Sequence, residues 1–292
     1  MIGEAEILRL IREERKKEPG LAETLDLHLA LLTARAEMEA RVPADWLDRA
    51  SGRIERGEPA LTLEDVELNW RAVGRSARRV CAIAAIYRPE LSESLSRLAA
   101  RFDETAVSAG EVRAFVADYL EDRAPETFAE PELFHFVMNH ALHPVLEAYA
   151  AVVAPVLPQR WPRGGCPVCA GRPDFAALEG EAGERRLLCA RCDAEWTSRR
   201  VGCPFCGEDG FARIGYFLTG DGAYRLYVCE TCKGYLKTID LRETWRRRPL
   251  PLERILTVGM DVGAAQQGYG ARQALARNGR LHDHPLDPGV TS

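Results

Sequence analysis

The sequence predicts an α+β, multidomain protein. An N-terminal all-α helical bundle is followed by two tandem small β modules that each hold four cysteines, and then by a short C-terminal helix. Three observations predict this class. Apolar residues follow a helical period through much of the first half of the 292-residue chain. Eight of the nine cysteines fall between positions 166 and 232. Short apolar runs separated by glycine-containing turns occupy that same region.

The N-terminal domain is predicted over residues 1–160, as a bundle of five or six helices. Apolar residues from Val66 to Tyr87 step alternately by four and three, which lines one face of a helix. Two pairs with capping-box spacing, Thr62 with Asp65 and Ser108 with Glu111, are expected at helix starts. Pro144 is expected to break or bend a helix over 133–153. Prolines and glycines in residues 154–165 predict a linker.

The eight clustered cysteines form four CxxC pairs. Two thiolates three positions apart can turn their sulfurs toward one point, and two such pairs supply a tetrahedral four-sulfur shell. Disulfide bonds and a thioredoxin-type redox site are the competing interpretations. A reducing cytosol and four copies of the motif favour metal binding over both. The ninth cysteine, Cys81, lies among apolar residues and is expected to be a small buried side chain.

The four pairs repeat as two similar units. The pattern C-P-x-C followed by a small residue occurs at 166 and again 37 positions later, at 203. Gaps of 19 and 22 residues separate the two pairs of each unit, close to the spacing of closed four-cysteine sites. One ion is therefore predicted in a module over 164–201, on Cys166, Cys169, Cys189 and Cys192. Another is predicted in a module over 202–248, on Cys203, Cys206, Cys229 and Cys232. An interleaved cross-brace, first pair with third and second with fourth, remains an alternative.

Each module also carries the signals of a β-hairpin. Polar, glycine-containing turns at 179–184 and 219–222 separate apolar strand-like runs. Modules this small cannot build a sufficient core, so the metal is expected to substitute for one. Residues 249–292 are predicted to hold a last helix, Asp261 to Arg277, and a tail.

The composition and the absence of recognisable catalytic motifs argue against several classes of function. A net charge of -5 argues against nucleic-acid binding, which needs a concentrated basic surface. The sequence contains no apolar run long enough to span a membrane, and its N-terminus has no signal-peptide pattern. A cytoplasmic location is therefore expected. No catalytic motif is evident, and a shell of four thiolates leaves no open position for a substrate. We therefore expect no enzyme activity.

These features together resemble the FdhE family, the formate dehydrogenase accessory or formation proteins. The resemblance rests on the helical half, the eight cysteines, Glu195-Trp196 after the second pair, Tyr235 to Lys237 after the fourth, and AQQGY at 265–269. It implies a cytoplasmic maturation factor, needed for enzyme activity, that binds the catalytic (large) subunit of a respiratory molybdenum formate dehydrogenase before twin-arginine export. It also implies rubredoxin-like centres with two metal ions per chain, iron being favoured and zinc the alternative. Ala170 replaces the glycine often seen after such a pair.

Two other functions remain alternatives to the accessory role. A zinc-ribbon nucleic-acid binder would use arginines of the modules as phosphate contacts, but basic and acidic residues are nearly balanced over 164–248. A rubredoxin-like electron-transfer protein would require redox-active iron. Self-association stays open, because one sequence does not reveal it.

Overall fold

The computed structural model describes residues 4–35, 38, 40–103, 105, 107–244 and 248–270. The chain divides into two compact units. The helical unit comprises Met1–Ala50 and Ala60–Ala154, and the cysteine-rich unit comprises Ser51–Pro59 and Pro155–Ser292. The predicted α+β class, with helices before a cysteine-rich β region, is confirmed. Within the described ranges no helix has the length and apolar character needed to cross a bilayer.

Seven α-helices precede the sheet in the described residues, where the sequence predicted five or six. The charged helix α1 and the short helix α3 are the ones that sequence periodicity missed. In chain order the helices are α1 (Glu4–Lys17), α2 (Ala22–Arg35), α3 (Trp46–Glu55), α4 (Trp70–Tyr87), α5 (Ser92–Ala100), α6 (Ala109–Leu120) and α7 (Pro131–Val153).

The helix boundaries follow capping chemistry, with one correction. The Ser108–Glu111 capping box begins α6 as predicted. The Thr62–Asp65 box instead closes a single 3-10 turn, and Val66 after it is extended. Helix α4 therefore begins later than expected, at Trp70, where the Asn69 side chain accepts a hydrogen bond from the Ala72 N–H at 3.2 Å. Helix α7 is continuous through Pro144, so the predicted break is absent, and the predicted bend stays a prediction.

The core of the helical unit is aromatic and aliphatic. Trp46 and Tyr149 are fully buried and meet edge to face, with ring centroids 4.7 Å apart. The Tyr149 hydroxyl donates to the Asp65 carbonyl at 2.8 Å, which satisfies its polar end. Cys81 is buried as expected, and burial raises the pKa of its thiol to about 12.

Six strands of the cysteine-rich unit form one sheet in the order β3-β2-β1-β6-β5-β4. Both predicted hairpins are present, as β1–β2 and β4–β5. The two predicted modules meet where β1 pairs with β6, the one parallel pairing among the described strands, with Phe175 opposite Lys237. The strands are β1 (Pro173–Glu179), β2 (Glu184–Cys189), β3 (Glu195–Ser198), β4 (Ile214–Leu218), β5 (Tyr224–Cys229) and β6 (Tyr235–Asp240).

Two helices, α8 (Leu250–Leu256) and α9 (Val258–Gln266), follow the sheet. The predicted last helix thus begins earlier and ends at Gln266, before Gly268, whose φ is +78°. The rest of that prediction, from 271 onward, and the predicted tail lie outside the described residues. Leu250 packs in a buried cluster with Phe175 and Ile239, which attaches α8 to the sheet. The four predicted segments, 1–160, 164–201, 202–248 and 249–292, stay a prediction about the chain's organisation.

Candidate metal centres

The eight clustered cysteines lie in four turns that share one backbone geometry. In each turn the N–H of the first cysteine donates to the carbonyl five residues later, at 2.7 to 3.0 Å. The residue after the second cysteine has a left-handed backbone in all four turns, with φ between +54° and +77°. These residues are Ala170, Asp193, Gly207 and Lys233. Each turn therefore presents its two sulfurs on one side, as the CxxC spacing predicted.

The turns come together in two groups of four thiols. The first contains Cys166, Cys169, Cys189 and Cys192, and the second Cys203, Cys206, Cys229 and Cys232. In the first group, one turn precedes β1 and the other connects β2 to β3. In the second group, the equivalent turns precede β4 and connect β5 to β6. The grouping is thus sequential, and the interleaved alternative does not occur among these cysteines.

Sulfur–sulfur distances in both groups suit a tetrahedral metal ion. Cys166 and Cys169 lie 3.6 and 3.5 Å from Cys192 and Cys189, respectively. In the second group the corresponding distances are 3.6 Å, for Cys203 to Cys232, and 3.7 Å, for Cys206 to Cys229. Metal–sulfur bonds of about 2.3 Å in a tetrahedron place the sulfurs about 3.8 Å apart. Each group could therefore bind one metal ion with little rearrangement.

Backbone amides are directed at the sulfurs. The Val168 N–H donates to Cys166 Sγ at 3.3 Å, and the Gly234 N–H donates to Cys232 Sγ at 3.4 Å. Such N–H···S contacts stabilise thiolate charge and hold the ligand in place. They belong to the turn itself, so the local backbone prepares the sulfur for a cation.

Two glycines allow the chain to pass close to the sulfurs. A Cβ on Gly171 would lie 3.1 Å from Cys169 Sγ and 2.8 Å from the side chain of Arg191. A Cβ on Gly234 would lie 3.2 Å from Cys232 Sγ and 2.9 Å from the ring of Phe205. Both glycines stand two residues after the last cysteine of their turn, so the repeat extends beyond the CxxC motif.

The two groups differ in exposure. All four thiols of the first group are at most 4% exposed. In the second group Cys206 is only partly buried. Burial raises the pKa of Cys166 well above its ordinary value, whereas a hydrogen bond from Cys203 lowers the pKa of Cys206 to about 7. Cys206 is thus the most exposed of the eight clustered cysteines.

Partly buried ion pairs that sequence reasoning missed connect the first group to α8. The Arg254 guanidinium lies 2.9 Å from Asp193 and 3.4 Å from Asp174, and it also reaches the Cys189 carbonyl at 3.4 Å. Lys237 is buried and contacts both the Arg254 carbonyl, at 2.9 Å, and Asp261, at 2.7 Å. In the sequence, these ion pairs are indicated only by charged residues inside apolar strands and helices.

The chain is similar in sequence to several proteins named FdhE or FdhE homolog. A protein of Aquifex aeolicus named as an FdhE homolog is 24% identical over 254 residues, covering 85% of this chain and 83% of its own. The FdhE protein of Shigella boydii is 24% identical over 90% of this chain and 85% of its own. An FdhE homolog of Pseudomonas aeruginosa is 32% identical, over 115 residues and 36% of each chain. No family model matches the chain.

The fold has a counterpart among solved structures. The crystal structure of the FdhE protein from Pseudomonas aeruginosa matches 97% of this chain and 93% of its own, with a TM-score of 0.56 and 19% identity. The predicted resemblance to the FdhE family is confirmed. Because the similarity to the FdhE homolog of Aquifex and to the FdhE protein of Shigella covers most of the chain, it includes the helical unit as well as the cysteines.

Proposed function

We propose that this protein is an accessory factor for the maturation of a formate dehydrogenase. The observation that carries the proposal is the combination of an FdhE-like fold with two complete four-thiol groups. Similarity to proteins named FdhE over most of the chain supports it, because that family is the one the sequence motifs indicated. The client is the catalytic (large) subunit of a respiratory molybdenum enzyme, bound in the cytoplasm before twin-arginine export.

In this proposal the metal ions organise the protein and do not carry out a reaction on a substrate. Each thiol group fills a tetrahedral shell, so a bound ion has no open position at which a substrate could bind. A bound ion supplies the cross-link that holds two turns together, and iron would add one-electron chemistry. Iron is the proposed metal and zinc its alternative, since four thiolates suit both. The ligands are the eight clustered cysteines.

A deletion strain tests the accessory role. We expect loss of respiratory formate dehydrogenase activity in the strain, and recovery when the wild-type chain is supplied. The Cys203→Ser/Cys206→Ser variant should fail to restore activity, whereas Cys81→Ala should restore it, because Cys81 lies outside both groups. Normal activity in the deletion strain would contradict the proposal.

Two further measurements separate the proposed function from its rivals. The tagged wild-type chain should co-purify with the catalytic subunit when both are produced together. Elemental analysis and a visible absorption spectrum of the protein purified without oxygen identify the metal. Salt-sensitive binding to nucleic acid without binding to the subunit would favour a zinc-ribbon nucleic-acid protein. Turnover with a small-molecule electron donor would favour an electron-transfer protein.

A further inference from the structure

The two modules contain equivalent strands in different surroundings. β1 and β4 are each the first strand of their module, and each pairs antiparallel with the strand that leads into a cysteine turn. From Phe175 in β1 and Gly215 in β4 onward the registers match position by position: Leu178 lies opposite Arg185, and Leu218 lies opposite Arg225. Ala176 and Ala177 therefore correspond to Tyr216 and Phe217.

Exposure at these equivalent positions is very different. Ala176, Ala177 and Leu178 are at most 1% exposed. Their equivalents in β4 are 52% exposed for Tyr216, 48% for Phe217 and 58% for Leu218. The sheet supplies one reason: the second edge of β1 is covered by the parallel strand β6, whereas β4 ends the sheet. No described strand covers the second edge of β4 in the way that β6 covers the second edge of β1.

Hydrogen bonds at both ends of β4 show which backbone groups face outward. The Glu230 N–H donates to the Arg213 carbonyl at 2.9 Å, and the Thr219 N–H donates to the Tyr224 carbonyl at 3.0 Å. In an antiparallel ladder the odd-numbered residues between them therefore face β5. The N–H and C=O groups of Ile214, Tyr216 and Leu218 point away from β5, along the free edge.

This edge lacks the features with which proteins usually prevent strand pairing. Natural edge strands carry charges, prolines or bulges that discourage a further strand. β4 reads Ile-Gly-Tyr-Phe-Leu, with no charge and no proline, and it pairs with β5 without a bulge. Phe211, three residues before the strand, is 84% exposed. An exposed apolar edge of this kind typically marks an interaction site.

We propose that the free edge of β4 accepts an extended apolar segment of the client polypeptide, which adds as a parallel strand in the way that β6 adds to β1. Backbone pairing with Ile214, Tyr216 and Leu218 would supply affinity. Apolar side chains would cover Phe217 on one face of the sheet and Tyr216 and Leu218 on the other. The identity of the client rests on the proposed function, but the edge itself does not.

A second copy of this chain fits the edge less well. The strand equivalent to β6 in the first module is β3, and its outer edge is already bonded, since the Trp161 N–H donates to the Thr197 carbonyl at 3.2 Å. A twofold pairing of β4 with β4 about an axis normal to the sheet would be antiparallel, unlike the β1–β6 junction. An extended segment of a different polypeptide can add to β4 in the parallel direction and so repeat the β1–β6 junction.

Overlapping synthetic peptides from the formate dehydrogenase catalytic subunit, tested on the metal-loaded full chain, provide the probe. Peptides with apolar residues in extended runs should bind. The Tyr216→Lys/Leu218→Lys variant should weaken binding by about tenfold or more. Val262→Lys and Ile86→Lys are matched controls, since each adds a lysine at an exposed apolar position elsewhere and should leave binding unchanged.

Amide exchange measured by NMR on the wild-type chain gives an independent readout. Peptide binding should slow exchange at the amides of Ile214, Tyr216 and Leu218, and leave Gly215 and Phe217, already bonded to β5, unchanged. The inference would be overturned if the lysine variant bound the peptides as tightly as the wild-type chain, or if no peptide bound at all. It would also be overturned if binding gave no new protection at the edge. Edge protection that rises with protein concentration alone would assign the edge to a second copy and overturn it too. The deletion-strain result judges the accessory role separately.

Discussion

The residue after each CxxC pair is held in a left-handed backbone whatever its side chain. Only Gly207 of the four is a glycine, and Ala170, Asp193 and Lys233 adopt φ values from +54° to +57°. For a residue with a Cβ this conformation costs on the order of 1 kcal/mol. The expected glycine at 170 is therefore replaced without loss of the turn, because hydrogen bonds and sulfur placement over-determine its geometry.

Gly164 lies too close to a neighbouring backbone segment to allow a larger residue. A Cβ at this position would lie 1.9 Å from the Pro204 carbonyl oxygen, a backbone atom. Gly164→Ala must therefore displace the turn before Cys166 or the turn at Cys203, and we expect a loss of about 2 kcal/mol or more in the free energy of unfolding. Urea denaturation of the metal-loaded protein measures it. Gly220→Ala, with nothing within 4 Å, is the control and should change little.

The stability of the folded protein is expected to depend on pH through Asp240. Its carboxylate is fully buried and contacts Arg225 at 2.6 Å and Arg242 at 2.7 Å. Hydrogen bonding from Arg242 lowers the pKa of Asp240 below its ordinary value. A carboxyl whose folded pKa is lowered stabilises the protein above its unfolded pKa of about 3.9, and that contribution is lost as pH falls through the folded pKa.

The Asp240→Asn variant tests this ion pair. We expect it to be less stable than wild type at pH 7, by about 2 kcal/mol, because the guanidinium groups of Arg225 and Arg242 lose their counter-charge. The difference between the two proteins should shrink as pH falls below about 4, since the wild-type carboxylate is then protonated as well. A difference that stays constant with pH would show that the charge of Asp240 is not what matters.

At the scale of secondary-structure elements, the pairing of cysteine turns determines metal stoichiometry. Each group takes one turn from before a hairpin and one from after it. The quadruple serine variant of Cys166, Cys169, Cys189 and Cys192 should keep one metal ion per chain, bound by the intact second group. An interleaved arrangement would leave no complete group and therefore no tightly bound metal. Elemental analysis of the purified variant distinguishes the two.

The unequal burial of the groups predicts unequal metal release. The first group is enclosed, and Cys206 of the second is partly exposed. A chelator should therefore remove metal in two phases, the faster one from the second group. A Cys203→Ser/Cys206→Ser variant, which keeps only the first group, should show the slow phase alone. Release in one phase from the wild-type chain would contradict the assignment.

For the whole molecule, metal dependence should be confined to one unit. The helical unit has its own buried core, including Leu25, Phe134 and Tyr149, and contains none of the eight clustered cysteines. Complete chelation should therefore remove the exchange protection of β1 to β6 amides while the helical circular dichroism signal largely remains. Loss of the helical signal along with the metal would contradict this expectation.

Much of the candidate site could be predicted before folding, because metal ligation is a local pattern. The CxxC spacing, the C-P-x-C repeat and the gaps of 19 and 22 residues predicted the two sequential groups. The hairpins followed from their turns for the same reason. Helix boundaries were less accurate: the Thr62–Asp65 motif has the spacing of a helix start but closes an isolated turn.

Residue types and their spacing by themselves determined the helical half, the two hairpins and the eight thiols in two sets, because these depend on interactions between near neighbours in the chain. Only the tertiary structure decided that β1 and β6 join the modules into one sheet, that Lys237 is buried and Arg254 partly buried beside it, and that no described strand pairs with the outer edge of β4. Those outcomes depend on contacts between distant segments, and no local pattern specifies which edge of a sheet receives the next strand.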